Sequence, residues 1–131
     1  MNSLDTLFED IKQILSKYSN DFKTVDEYLR SKAKNKKPGF HLYGKKDVSL
    51  FGKTPQPTYL AGVIQQKNYV SFYFSPIYSH PELTKEIPPE LKKSLKGKSC
   101  FNIKKSSLEL LSEIENTLLL GIKKYKEIKW V

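Results

Sequence analysis

Cysteine occurs once in the 131 residues, at Cys100, so no internal disulfide can staple the chain. A reducing, cytoplasmic setting is the simplest expectation from that usage. Arginine is as scarce: of 23 basic side chains only Arg30 carries a guanidinium. The planar fork that reads base edges and grips phosphates with two bonds is therefore almost missing. The formal charge of +9 then reads as a lysine-rich solvated surface, a nucleic-acid partner is not expected from it, and lysine-mediated nucleic-acid binding stands as an alternative. No apolar run approaches the roughly 18 residues that a membrane span needs. The opening stretch MNSLDTLFEDIKQIL is amphipathic and lacks the basic start and unbroken apolar core of a signal peptide.

Histidine occurs twice, at His41 and His80, and no HxH, HExxH or CxxC spacing surrounds either one or Cys100. A resident metal or other cofactor is not expected. Gly97-Lys98-Ser99 looks like the tail of a phosphate-binding loop, but Lys92 stands where the first glycine of that loop belongs and a strand, not a helix, follows. Cys100, next to Phe101, reads as a buried small hydrophobe rather than a nucleophile. Nothing here assembles a catalytic constellation, and a non-enzymatic domain is expected.

What the chain does have is periodicity. Its length and 38% hydrophobic content suit one globular domain, residues 1–131. Leu4, Leu7, Phe8, Ile11, Ile14, Leu15 and Tyr18 recur at helical spacing, with Ser3 as N-cap. A second helix is expected over residues 24–34, which makes 1–37 a helical segment closed by the lysine-rich loop SKAKNKKPG. The sheet and C-terminal helices follow over 38–131. Period-two alternation predicts strands at 40–43, 48–51, 59–66, 69–75 and 101–103, with tight turns at 44–47 and 66–68 and a proline-interrupted connector at 53–57. The last helix is predicted from a capping box, Ser106 with Glu109, and a stripe of Leu108, Leu111, Ile114, Leu118, Ile122 and Tyr125, widened by Leu110 and Leu119. The expected fold is α+β: an antiparallel sheet of about five strands packed against N- and C-terminal helices.

Alternation also divides the sheet into two faces. Val70, Phe72 and Phe74 should look into the core, and Ser71 and Tyr73 away from it. If Tyr43, Tyr59 and His41 share the second face, the sheet carries a half-polar aromatic wall, with Gly62 letting something approach the backbone closely. Rings with hydroxyls at their tips, a histidine that titrates near neutrality and a lysine suit a small anionic or aromatic ligand. The candidate ligand-binding residues are His41, Tyr43, Tyr59, Ser71, Tyr73, His80 and Lys98. The competing reading has the wall covered by the segment 77–95. In that segment Ser79 and Glu82 have capping-box spacing, which would leave His80 in an ordinary first helical turn. A homodimer through an exposed sheet edge is a further possibility.

Three motifs in order carry a resemblance: Tyr73-Phe74-Ser75-Pro76-Ile77-Tyr78-Ser79-His80-Pro81-Glu82-Leu83, then Ile87-Pro88-Pro89-Glu90-Leu91, then Gly97-Lys98-Ser99-Cys100-Phe101-Asn102-Ile103-Lys104-Lys105. This order resembles the YdhG-like domains, a family of small bacterial domains of unknown function, over about Gly39 to Tyr125. The resemblance implies an α+β fold and little chemistry. Some relatives are described as frataxin-like iron chaperones, which hold iron with surface carboxylates. Carried over, that role would fall to Asp5, Glu9 and Asp10, although the chain as a whole is basic.

Overall fold

The computed structural model describes residues 3–26, 38–49 and 54–131. Six strands form one antiparallel sheet: β1 (Lys23–Val25), β2 (Gly39–Val48), β3 (Gln56–Gln65), β4 (Val70–Phe74), β5 (Leu95–Lys96) and β6 (Cys100–Ile103), in the order β1-β2-β3-β4-β6-β5. Helix α1 (Ser3–Ser16) precedes them, two short helices, α2 (Pro76–Ser79) and α3 (Pro89–Lys92), flank a 3-10 segment at Pro81–Glu86, and α4 (Leu108–Glu127) ends the fold. The architecture is α+β, as the periodicity predicts.

The core lies between the sheet and the helices. Val70, Phe72 and Phe74 are fully buried, which confirms the inward set of β4. Phe72 stacks on Phe74 with centroids 6.3 Å apart and tilts against Phe101 at 5.8 Å. Leu7, Phe8, Ile11, Ile14 and Leu15 of α1 meet this layer, as do Leu110, Ile114, Leu118, Ile122 and Tyr125 of α4. The two helices run side by side in the same direction: the Ser106 hydroxyl, just before α4, donates to Asp10 at 3.5 Å, and Lys17 reaches Glu115. Where α4 crosses the sheet a Cβ on Gly121 would lie 2.5 Å from the Phe74 ring and 2.8 Å from Pro76, so the close approach needs glycine there.

Several boundaries differ from expectation, each for a local reason. Lys23–Val25 is an edge strand, not the start of a helix. Val25 and Thr24 are β-branched and pair with His41 and Leu42. With β1 in it, 1–37 is not purely helical, and the remainder of the helix expected over 24–34 lies outside the described residues. The stretch 44–47 is not a turn. β2 runs through it, and residues 44–46 oppose the single residue Thr58 between the pairs Tyr43↔Tyr59 and Asp47↔Pro57, an extended bulge. The expected strand at 48–51 is thus the end of β2 as far as Val48; residues 50 and 51 lie outside the described set. Pro57 is tolerated inside β3 because β4 pairs with β3 only from Ala61 to Gln65, which leaves the first half of β3 on an edge.

The cap of α4 is Ser107, whose Oγ accepts the Leu110 N–H at 3.0 Å, not Ser106. The buried stripe accordingly passes through Leu110, and Leu108, expected inside, is 89% exposed. Leu119 is exposed as well. At its other end α4 closes with a Schellman motif: Trp130 N–H bonds to Tyr125 O at 2.9 Å, Lys129 N–H to Lys126 O at 3.2 Å, and Lys129 takes φ 62° where glycine is usual.

The proline-rich segment packs on the helix side of the sheet. Ile77, Leu83, Ile87 and Leu91 join the same buried cluster as Phe72 and Ile114. The buried Glu113 carboxylate of α4 accepts the Leu91 N–H at 3.0 Å. That amide is one of the first-turn donors of α3 that have no intrahelical partner, so a side chain from another helix supplies the cap. Ser79 caps nothing. It ends α2, the N-cap position of the 3-10 segment is His80, and no side-chain cap bond forms.

Candidate functional site

Register places the second face of the sheet residue by residue. One rank crosses five strand boundaries: Val25 opposite His41, His41 opposite Gly62, Gly62 opposite Tyr73, Tyr73 opposite Cys100, and Cys100 opposite Lys96. A second rank runs Gly39, Ile64, Ser71, Asn102, and a third Lys23, Tyr43, Tyr59. Five of the expected site residues, His41, Tyr43, Tyr59, Ser71 and Tyr73, therefore share one face. The segment 77–95 does not cover them, because it lies across the sheet with α4.

Within that face the residues divide. At the β2–β3 end they are packed together. His41 is 1% exposed and Tyr43 4% exposed. His41 Nδ1 and the Tyr59 hydroxyl share a hydrogen bond of 2.8 Å, and the Tyr43 ring meets the Tyr59 ring edge-on at 5.1 Å. The close approach that Gly62 permits is theirs, since a Cβ there would overlap the Tyr59 hydroxyl and His41 Nδ1. Burial lowers the His41 pKa to about 4, with Asp26 pulling weakly the other way, so the imidazole is neutral at physiological pH.

At the β4–β6 end the face is half-open. Tyr73, Cys100 and Asn102 are half-buried, and Lys96 is exposed beside them. Ser71 is buried beneath this group, and its hydroxyl accepts from the Gln66 amide at 3.4 Å. The Cys100 thiol donates to Asn102 Oδ1 at 3.4 Å. Burial pushes the thiol pKa up, against smaller opposite effects of Ser71 and Tyr73, and burial raises the Tyr73 phenol too. A protonated thiol is a poor nucleophile but an adequate weak donor. Cys100 is thus a half-buried member of the polar face, not the core hydrophobe its neighbour Phe101 suggested. Cys100 and Asn102 escaped the candidate set although CFNI alternates as plainly as the central strand does. The strand expected at 101–103 begins one residue earlier, at Cys100, so Cys100 lay outside it and Asn102 was not assigned to a face.

His80 and Lys98 stand elsewhere. His80 Nδ1 shares a 2.8 Å hydrogen bond with the Ser79 hydroxyl, and its ring lies 5.4 Å from Trp130, which in turn tilts against Tyr125 at 5.1 Å. Burial drives the Tyr125 pKa to about 12, and its hydroxyl donates to Tyr59 O at 2.9 Å. Lys98, in the turn between β5 and β6 where Gly97 has φ 70°, holds its ammonium 5.7 Å from the Tyr78 ring centroid. Neither joins the Tyr73 group.

The carboxylates considered for iron also diverge. Asp5 accepts from the Gln65 amide, Asp10 from Ser106, and Glu9 is exposed. Among the described residues no three His, Cys, Asp or Glu side chains group as a metal would require. Among those residues, too, no helix is long and apolar enough to cross a membrane.

No family model, curated protein or solved structure matches the chain.

Proposed function

We propose that this is a non-catalytic binding domain that seats a small planar ligand on the half-open end of the polar sheet face. The observation that carries the reading is the rank Gly62–Tyr73–Cys100–Lys96 with Ser71 and Asn102 alongside. It offers one aromatic ring, hydroxyl, thiol and amide groups, and an exposed ammonium at the rim. A ring laid on Tyr73 gains apolar contact, and an acidic substituent directed outward meets Lys96. The packed trio His41, Tyr43 and Tyr59 supports the floor of this site rather than touching the ligand. The basic chain as a whole favours an anionic over a cationic ligand here.

Titration of isotope-labelled protein with 4-hydroxybenzoate, read by amide chemical shifts, tests the assignment. Shifts should concentrate at Ser71, Tyr73, Cys100 and Asn102 and disappear in Tyr73→Ala. Lys96→Ala should weaken binding a few-fold, as loss of a rim charge does. Unmoved β4 and β6 amides at millimolar probe would end the proposal.

A further inference from the structure

The helix side of the molecule has its own recess. Where α1 and α4 run side by side they leave an open cleft of about 320 Å³, the lower end of the range for small-molecule sites. Its floor is Ile14 and Leu111, and its rim carries Asp10, Lys17 and Glu115. Two carboxylates against one ammonium make this a locally acidic spot on a chain of formal charge +9.

Glu115 is already organised as a cation receptor. Lys17 Nζ sits 3.2 and 3.1 Å from its two oxygens, and the Tyr18 hydroxyl donates to it at 3.3 Å. The neighbouring carboxylate raises the Tyr18 pKa further, beyond the larger effect of burial, so that phenol stays a donor. The lysine is easily displaced: its side chain is 58% exposed, and exposed ion pairs contribute little because water and side-chain entropy offset the attraction.

The apolar surface continues beyond the cleft. Leu108, 89% exposed, and Leu119, 46% exposed, are two of the exposed large hydrophobics among the described residues. At about 100° per residue they fall on the same side of α4 as Leu111, Ser112 and Glu115. With Leu111 they extend an apolar strip along that side of the helix.

We propose that this cleft binds a small amphiphilic primary amine. Its ammonium takes the place of the Lys17 ammonium at Glu115 beside the Tyr18 hydroxyl, and its alkyl chain lies over Ile14 and Leu111 toward Leu108. The site is on the opposite side of the sheet from the Tyr73 group, and the two proposals stand or fall separately.

Amide-shift titration with n-hexylamine, against hexanoate as the matched anion, decides it. The amine should move Gln13, Leu111, Ser112 and Glu115, and hexanoate should not. Glu115→Gln should weaken the amine about tenfold, the scale of one charge-assisted hydrogen bond, and Asp10→Asn, farther along the cleft, should weaken it less. Lys17→Ala should strengthen it, because an internal competitor is gone, whereas a purely structural ion pair predicts no gain. These side chains are at the surface, so the variants can be checked for unchanged folding by their spectra. Equal shifts with hexanoate, no shifts with the amine, or indifference to Lys17→Ala would overturn the site. A tighter response to Nα-acetyl-lysine methylamide than to hexylamine would overturn the small-amine assignment in favour of a lysine side chain from a protein.

Discussion

The two faces of the sheet come from the same strands and obey different rules. On the helix side β4 offers Val70, Phe72 and Phe74, all fully buried in the hydrophobic core. On the other side the intervening residues, Ser71 and Tyr73, sit with His41, Tyr59, Cys100 and Asn102 in ranks of rings and polar tips. The first face is held by area and shape. The second is held by hydrogen bonds that must be mutually satisfied, since buried polar groups cost stability when left unpaired. Stability should therefore concentrate on one face and recognition on the half-open end of the other.

Adjacent residues of β4 give the largest contrast. Phe72→Ala removes a fully buried ring that stacks on Phe74 and tilts against Phe101, and should cost about 3–5 kcal/mol. Tyr73→Ala, one residue on, removes a half-buried ring and should cost roughly 1 kcal/mol. Urea unfolding of the two variants measures the difference directly. Similar costs would mean that Tyr73 is part of the core and the division of the faces is wrong.

How legible each face was follows from the same distinction. The core face repeats with a fixed period, so α1, β3, β4 and α4 could be read from spacing alone, including which way Val70, Phe72 and Phe74 point. The edges could not. β1 and β5 have three and two residues, too few for alternation to register, and β1 becomes a strand only because β2 lies beside it. The Gly44–Asp47 stretch has turn chemistry, yet it bulges within β2, because pairing on both sides of it outweighs local preference. The shift of the α4 cap from Ser106 to Ser107 is a choice between neighbouring serines that sequence spacing does not decide.

The polar face was legible as a face but not as a site. Alternation put His41 with Tyr43 and Ser71 with Tyr73, whereas Tyr59 joins their face only because Leu60 is an extra residue in β3 between the pairs Leu42↔Ala61 and Tyr43↔Tyr59. It carried no information about which of them water could reach, because that depends on rings packing sideways across strands. Gly62 shows the difficulty: the glycine implied a close approach, and the approaching groups are Tyr59 and His41 themselves. His80 and Lys98 were drawn in by their chemistry, and tertiary packing puts them against Trp130 and Tyr78.

Gly62→Ala sharpens the comparison at intermediate scale. A methyl there must displace the Tyr59 hydroxyl or the His41 ring, and overpacking of this kind costs about 1–3 kcal/mol. The displaced pair should also disturb the amide shifts of Tyr43 and Tyr59 while leaving the Phe72 and Phe101 resonances nearly unchanged. A variant as stable as the parent would show that the trio is loosely held.

The remaining expected effect comes from acid. His41 titrates near 6.5 in an unfolded chain and at about 4 in the folded one, chiefly through burial, with the Asp26 carboxylate opposing the shift. The unfolded state thus binds a proton that the folded state refuses, so this contribution to stability is fully present above pH 6.5 and is lost as pH falls toward 4. Carboxylates begin to titrate at the lower end of that window, so the parent must be compared with His41→Gln, which keeps a polar side chain and removes the titration. The urea midpoint of the parent should decline between pH 6.5 and 4.5 more steeply than that of His41→Gln. Parallel declines would mean that the imidazole accepts its proton without leaving the packed end of the face, and that this end is as open to water as the Tyr73 group beside it.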